Sequence, residues 1–539
     1  MLIQSKENRK NFRVEIRQLA SVVLKRGSYT VINESNEHMN SSVPFILSEK
    51  IKSRPRLAHL DLGKFNKRSK TMFIQRYYLE CLSHASYMVA DQRTKVAAII
   101  DPRRDVDIYI NDAKSHGFEI KHVILTHFHA DFIAGHIELR DRVNSNIYLG
   151  ARAKAEFNFE SLDDGSVIEL GDTRLQAMET PGHTPEGITV LAFDKIVDPN
   201  NPYAMFTGDT LFLGDVGRPD LFASIGVTAY ELAEMLYESL QNKILKLPDE
   251  TLVYPAHGAG SLCGKGLSNE TVSTLGKQRL HNYALQPMTK DDFITLITAD
   301  QPEAPAYFGY DAVLNQKKRP TLDEVVKKSM KSLDVNTVHS LQKSGVQVID
   351  VREAADFAGA HLCDSLNIGI DGRFANWAGT LLNKDIPILI VAEVNRVEEV
   401  VVRLGRIGFH NVKGYLENGM ESLKEHTNLI SKTQRISATT INELKGEVTI
   451  VDIRSEKEWE DGHIKDSVNI PLNSLANRIA EIPESGYVIV HCQGGYRSMI
   501  AASLLEKEGR SNVFDLAGGY QAWVTTKQST NTSANQIKN

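Results

Sequence analysis

The 539 residues are 42% hydrophobic and 24% charged, with a net charge of −6, and at roughly 150 residues per domain they divide into about three or four domains. The mild acidity excludes a general attraction to nucleic acid or anionic membrane, and no apolar run reaches the roughly 18 residues that cross a bilayer. Cys81, Cys263, Cys363 and Cys492 stand far apart with no CxxC pair, which excludes a disulfide scaffold and a zinc ribbon and fits a reducing, cytoplasmic setting.

Residues 1–71 carry about fifteen Lys and Arg against about six acids, with no helix or strand period and no apolar h-region for export. Glu7, Glu15, Glu34 and Glu37 count against a transit-type presequence, so the segment reads as a basic, disordered leader. From 72 to 310 short apolar strands alternate with polar turns. Ala97–Ile100 ends in Asp101-Pro102, His122–Leu125 runs into a His-rich loop, and Ile188–Phe193 and Ala204–Phe206 follow. Thr228–Leu247 reads as an amphipathic helix. Residues 311–333, with Lys317–Pro320 among them, read as a linker.

An internal repeat comes next. Val346–Arg352 matches Val448–Arg454, Ala360-His361-Leu362 matches Gly462-His463-Ile464, and Asp364–Ile368 matches Asp466–Ile470 at unchanged spacing. Residues 334–430 and 431–527 are therefore expected to be two copies of one α/β domain with a parallel sheet, followed by a polar tail over 528–539.

Strand Val123–Leu125 runs into Thr126-His127-Phe128-His129-Ala130-Asp131. Neutral imidazoles and a carboxylate gathered at a strand end are first-row metal ligands. Thr180-Pro-Gly-His183-Thr-Pro adds a histidine in a tight turn, and Phe206-Thr-Gly-Asp209-Thr adds a carboxylate directly after a strand.

These motifs resemble the metallo-β-lactamase superfamily, with Val253-Tyr-Pro-Ala-His257-Gly as that family's last histidine. The resemblance implies a fold of two β-sheets sandwiched between helices (αββα), here followed by two smaller α/β domains. Two-metal hydrolases of the superfamily use a histidine directly after the motif aspartate. Here Phe132 takes that place, and a phenyl ring cannot ligate, so a single metal is expected. Cys81–Met88, Asp101-Pro102-Arg103 and Gly214-Asp-Val-Gly-Arg218-Pro-Asp220 are similar to the persulfide dioxygenase branch. That resemblance implies one Fe(II) per chain held by His127, His183 and Asp209, with positions left for substrate and O2. It makes His129, Asp131 and His257 outer groups, with His129 also open as a ligand. Arg218 is open to two readings, a clamp for the carboxylate of a glutathione-like substrate or a structural partner of Asp220. Cys263 is either an accessory thiol at the site or a buried spectator.

In the second repeat the strand Tyr487–His491 ends at Cys492-Gln-Gly-Gly-Tyr-Arg497-Ser498, and a helix follows. Inward-pointing amides, the helix N-terminus and Arg497 favour the thiolate, so Cys492 is expected to be a nucleophile. The loop, with Asp452-Ile-Arg454 and Gly518–Trp523, resembles the rhodanese active site and implies a persulfide on Cys492. Aligning Ile388–Ala392 with Tyr487–His491 places Glu393 opposite Cys492 and Glu398 opposite Arg497, so the first repeat is expected to be an inactive rhodanese-like domain.

Together these readings give a persulfide dioxygenase that oxidises a low-molecular-weight persulfide (RSSH) with O2 to sulfite, coupled to a sulfurtransferase that forms or uses thiosulfate. The expected partners are small molecules, with no nucleic acid or membrane, and the chain is expected to form a homo-oligomer. The alternative is a zinc-dependent thioesterase of the glyoxalase II type joined to a sulfur carrier.

Overall fold

Runs of β-branched and aromatic residues bounded by turns make strands, and their alternation reports how many faces are covered. The computed structural model describes residues 71–221, 226–301 and 304–526, with the backbone of 530–531. The basic leader and most of the polar tail lie outside the described residues. All four cysteines are free thiols. No helix among the described residues is long and apolar enough to cross a membrane.

β1 (Met72–Leu79) alternates buried and half-buried positions, as an edge strand does, whereas β2 (His84–Asp91) is buried throughout. β3 (Val96–Ile100), β4 (Glu119–Ile124), β5 (Asn146–Gly150) and β6 (Glu160–Leu162) continue a six-stranded sheet in that spatial order. β7 (Val167–Glu169), β8 (Thr173–Glu179), β9 (Ile188–Asp194), β10 (Ala204–Gly208), β11 (Leu252–Pro255) and β12 (Ser273–Thr274) form the second sheet, ordered β12-β11-β10-β9-β8-β7. The inner faces meet over Tyr87, Ile100, Val190, Phe206 and Tyr254. Helices Asp107–His116 and His136–Val143 pack beneath the outer face of the first sheet, and Ala229–Asn242 and Lys290–Thr298 cover the second. This is the expected αββα sandwich. Ala229–Asn242 starts where Thr228 and Glu231 close a reciprocal capping box, which satisfies amides that the first turn leaves unpaired.

The stretch 311–333 differs from a linker. It holds the helix Leu322–Ser329, capped by Thr321 and Glu324, and buries Asp311, Asn315, Leu322 and Val325. Apolar spacing at Leu322 and Val325 supplies a face to bury, so the Lys/Pro-rich composition before it marked only a turn.

Two five-stranded parallel sheets follow. In the first, the spatial order is Ser332–Leu333, Val412–Leu416, Ile388–Val391, Gln347–Asp350, Leu366–Asn367. In the second it is Gln434–Ile436, Val513–Leu516, Tyr487–His491, Val448–Asp452, Val468–Asn469. The matching orders establish the repeat. The same brace recurs in both copies: Arg352 pairs with Asp350 and donates to Ala360 O, and Arg454 pairs with Asp452 and donates to Gly462 O. One buried apolar cluster runs from the metal-loop sheet through both repeats, from Phe132 and Phe212 to Ile349, Ile390, Val451 and Val490.

Candidate metal centre and cysteine loop

The His-rich loop leaves β4 at the end of the sandwich, where strands of both sheets deliver their loops. Asp101, at the end of β3, fixes its first turn. The Asp101 carboxylate accepts the amide of Thr126 at 2.7 Å and its hydroxyl at 2.8 Å. Glu186 accepts the amide of Phe128 at 2.9 Å. Gly208, at φ +52°, ends β10, and a Cβ there would lie 2.4 Å from Thr126 Oγ1. Only glycine allows the Asp209 turn to come this close to His127.

His127, His183 and Asp209 are buried and bring one ligand atom each within 4.8 Å of the others. Asp209 Oδ2 lies 3.8 Å from His127 Nε2 and 3.4 Å from His183 Nε2. The outward atoms of the same side chains are engaged. His127 Nδ1 is 2.9 Å from Thr126 Oγ1, His183 Nδ1 donates to Arg218 O at 2.8 Å, and Asp209 Oδ1 accepts from His257 Nδ1 at 2.8 Å. These contacts turn two imidazole lone pairs and a carboxylate oxygen inward. Asp209 Oδ2, buried, has no hydrogen-bond partner among the described residues. A buried carboxylate oxygen left bare costs free energy unless a cation meets it, so the donor set fits a divalent ion.

Burial lowers His127 and His183, keeping the imidazoles neutral as ligation requires. Burial alone would raise the Asp209 carboxyl, but His257, His127 and His183 outweigh it and hold it well below the usual carboxylate range. His257 is the opposite case. Burial lowers it, yet Asp209 and Asp131 push it well above the ordinary imidazole value.

The other expected residues fall around this trio. His257 spans two carboxylates, its Nε2 lying 2.9 Å from Asp131 Oδ2. His129 packs against His127 with ring centroids 4.1 Å apart, but its nitrogens stand outside the trio and Nε2 faces Asp101 at 3.2 Å. Phe132 packs tilted against the rings of His84 at 4.0 Å and His129 at 4.4 Å. Arg218 is buried, its guanidinium forks onto Asp220 at 2.6 and 2.6 Å, and a third contact runs to Leu262 O. Its carbonyl orients His183, as the structural reading expects. Cys263 is buried too, and burial with Asp131 and Asp209 nearby pushes its thiol up. It stands with Asp131 and His257 in a second group of ligand atoms within 4.8 Å of one another, a juxtaposition that the spacing of 131, 257 and 263 does not reveal.

Sequence reasoning also missed His84 and Asn315. Both His84 nitrogens are buried without a hydrogen-bond partner among the described residues. Asn315 Nδ2 donates to His129 O and Phe132 O, each at 2.8 Å, while its Oδ1 accepts the amide of Ala134 at 2.9 Å. The reach from 315 to 129 leaves no local pattern to find. Glu186, three residues after His183, was nearer to hand but lacks a spacing rule.

In the second repeat, Cys492 lies at the end of its strand with Sγ accepting the amide of Gly495 at 3.1 Å. Helix Tyr496–Lys507 begins at the next residue. Arg497, expected to favour the thiolate, forks its guanidinium onto Glu458 at 2.7 and 2.7 Å. The sulfur accepts from the backbone of Gly495 and lies 3.7 Å from Ser498 Oγ.

Strand register corrects the alignment of the repeats. Asp350 pairs with Val391 and Asp452 with His491, so Ala392, not Glu393, is the counterpart of Cys492. At the helix ends, Phe409 N bonds Leu404 O as Arg510 N bonds Leu505 O. The helices therefore align with Arg396 opposite Arg497, not Glu398, and the first loop is one residue shorter. The first repeat has alanine where the second has Cys492, but it keeps the cation.

A family profile described as Metallo-beta-lactamase superfamily matches residues 79–257, and one described as Rhodanese-like domain matches 334–426 and 437–526. The chain is 30% identical over 220 residues to the mitochondrial persulfide dioxygenase ETHE1 of Bos taurus, covering 39% of this chain and 75% of that one. It is 33% identical over 174 residues to a hydroxyacylglutathione hydrolase of Dictyostelium discoideum, covering 32% of this chain and 61% of that relative's length. A crystal structure of a metallo-β-lactamase from Staphylococcus aureus is similar over 65% of this chain and 99% of its own, at 32% identity and a TM-score of 0.58.

Proposed function

Since the chain belongs to the metallo-β-lactamase superfamily and carries two rhodanese-like domains, we propose that it is a persulfide dioxygenase joined to a sulfurtransferase. The observation that carries this reading is the inward trio of His127 Nε2, His183 Nε2 and Asp209 Oδ2 beside a His257 whose two nitrogens are both spent on carboxylates. Two imidazoles and one carboxylate are the donor set of non-haem Fe(II) oxygenases. Ferrous iron held there would supply dioxygen chemistry next to the substrate sulfur. The overall conversion is RSSH + O2 + H2O → RSH + SO3²⁻ + 2H⁺.

The chain's own residues set up that conversion. Arg218 O fixes the His183 tautomer, and His257 fixes the Asp209 rotamer. Asp131 Oδ1, like both nitrogens of His84 and His129, is buried with no hydrogen-bond partner among the described residues, and these are the acceptors open to a proton released in the pocket. Phe132, His84 and Phe212 wall the site against bulk water. In the second repeat, Cys492 carries a sulfane sulfur, and Cys–SS⁻ + SO3²⁻ → Cys–S⁻ + S2O3²⁻ either forms thiosulfate or, reversed, uses it. One chain holding both sites raises the effective concentration of the shared sulfur species.

The test is anaerobic purification, metal quantification and oxygen-electrode traces with glutathione persulfide. Roughly one iron per chain, with O2 uptake matched by sulfite, supports the proposal. Two zinc ions and no O2 uptake overturn it. Cys492→Ser is expected to keep O2 uptake and lose thiosulfate formation, and His183→Ala to lose O2 uptake.

The second trio, Asp131, His257 and Cys263, favours a competing reading as a two-metal thioesterase. It requires His257 to give up a carboxylate contact to a metal. Hydrolysis of a glutathione thioester by zinc-loaded protein distinguishes it.

A further inference from the structure

The Cys492 loop is built from residues that do not hold a shape by themselves. Gln493-Gly494-Gly495 precedes Tyr496, and Gly495 sits at φ +106° with its amide on the sulfur. Within the same repeat Tyr520 N and Gln521 N hold the carbonyls of Cys492 and Gln493, but the two glycines that follow have no side chain to fix them. Among the described residues, the next side chain after Gly495 is anchored in the other repeat. Tyr496 Oη donates to Gly369 O at 2.8 Å, and its ring lies over Gly369 and Gly372. A Cβ on Gly372 would meet the Tyr496 ring at 2.2 Å, so glycine is what opens this seat.

The seat is itself braced from within the first repeat. Arg396 forks onto Asp371 at 2.7 and 3.0 Å, and Arg403 donates to Ile370 O at 2.5 Å. Arg396 is the residue that register places opposite Arg497, so the cation of the degenerate site now clamps segment 369–373. The same helix that starts at Tyr496 is tied again farther along, where Asn367 N donates to Ser503 Oγ at 3.0 Å. Burial pushes the Tyr496 phenol up, so its hydroxyl stays a donor at neutral pH.

We propose that the first repeat is a positioning element for sulfur transfer, and that Tyr496, seated on Gly369–Gly372, holds the Gly495 amide on Cys492. This deepens the sulfurtransferase reading above and rests on it. Tyr496 is a positioning residue; it touches neither the sulfur nor an acceptor.

The experiment compares full-length wild type with Tyr496→Phe, Tyr496→Ala and Arg396→Gln. Alkylation of Cys492 by iodoacetamide is followed by peptide mass spectrometry across pH 5 to 9, alongside thiosulfate-dependent sulfur transfer. Tyr496→Ala is expected to move the midpoint of the alkylation profile to higher pH and lower kcat by roughly tenfold or more with little change in KM. Tyr496→Phe, which keeps the ring in the seat, is expected to recover most of the loss, and Arg396→Gln to fall between. A Tyr496→Ala protein that melts earlier but keeps the wild-type alkylation profile has lost only stability, and overturns the proposal. So does an unchanged profile in Arg396→Gln, should Tyr496→Ala not fold. Alkylation needs no sulfur acceptor, so a wild type without sulfurtransferase activity defeats the functional reading while leaving this test intact.

Discussion

Asn315 Nδ2 donates to the carbonyl of His129 at 2.8 Å across 186 residues of sequence. With its bonds to Phe132 O and Ala134 N, one buried side chain satisfies three main-chain groups of the metal loop. Removing it leaves those groups dry and unpaired. Asn315→Ala is therefore expected to cost about 3 kcal/mol or more, and to loosen the loop that presents His127. Thermal melts report the first effect. A weaker metal affinity, read by competition with a chromophoric chelator, reports the second, and unchanged metal affinity would confine Asn315 to stability.

That relationship shows why part of the site was legible and part was not. His127, His183 and Asp209 each sit in a loop directly after a strand or in a tight turn, and their side-chain chemistry announces them. Asn315 and His84 act through three-dimensional proximity alone, whereas Cys263, just past His257 in the sequence, was already open as a thiol at the site. The missing cysteine of the first repeat was legible. Its counterpart residue was not, because a one-residue shortening between Ala392 and Arg396 shows only when the sheet register is fixed at Asp350 and Asp452. Strand and helix patterns reached the sandwich and the two parallel sheets, but a Lys/Pro-rich stretch hid the helix Leu322–Ser329.

Glu138 gives a pH-dependent test of how the metal domain holds the segment after it. Its carboxylate takes Arg104 Nε at 2.8 Å and Arg319 at 2.6 and 3.0 Å, all buried. Arg104 also donates to Gly405 O and His410 Nε2 in the first repeat. Burial alone would raise Glu138, but Arg319 and Arg104 bring it from its ordinary 4.5 down to about 2. A carboxyl lowered on folding adds stability that is present above pH 4.5 and is lost as pH falls toward 2. Glu138→Gln is expected to cost about 3 kcal/mol at pH 7, leaving two guanidinium groups without their anion. Its melting temperature is expected to fall less steeply than that of wild type between pH 5 and pH 3. Parallel acid limbs would show that the pair contributes nothing to acid stability.

Restoring a thiol to the first repeat is expected to be insufficient. Ala392→Cys puts sulfur opposite Cys492, but the shorter loop Glu393-Val394-Asn395 has no glycine, and its Arg396 is held by Asp371 and Glu399 much as Arg497 is held by Glu458. In a Cys492→Ser background the new thiol is expected to show no sulfur transfer and to alkylate roughly tenfold more slowly than Cys492 at neutral pH. Transfer activity near that of the second repeat would mean the loop cradle is not what activates the thiolate.

Phe132 is expected to limit how many ions the metal loop holds. Its ring packs between His84 and His129 and follows Asp131 in the chain, so an imidazole there would add a nitrogen to the same loop. With phenyl there, the second group must recruit His257 from between two carboxylates and a Cys263 thiol that burial keeps protonated. Phe132→His supplies a neutral donor without either change, at the cost of burying a polar ring where a phenyl now packs. Dialysed against zinc, the variant is expected to rise from roughly one to roughly two ions per chain, with O2 uptake falling as hydrolysis of glutathione thioesters appears. Elemental analysis and the two assays run on one preparation check this. A variant that still holds one ion would place the block at Cys263 and His257 instead, and Cys263→Ser in the Phe132→His background then tells which of the two closes the second position.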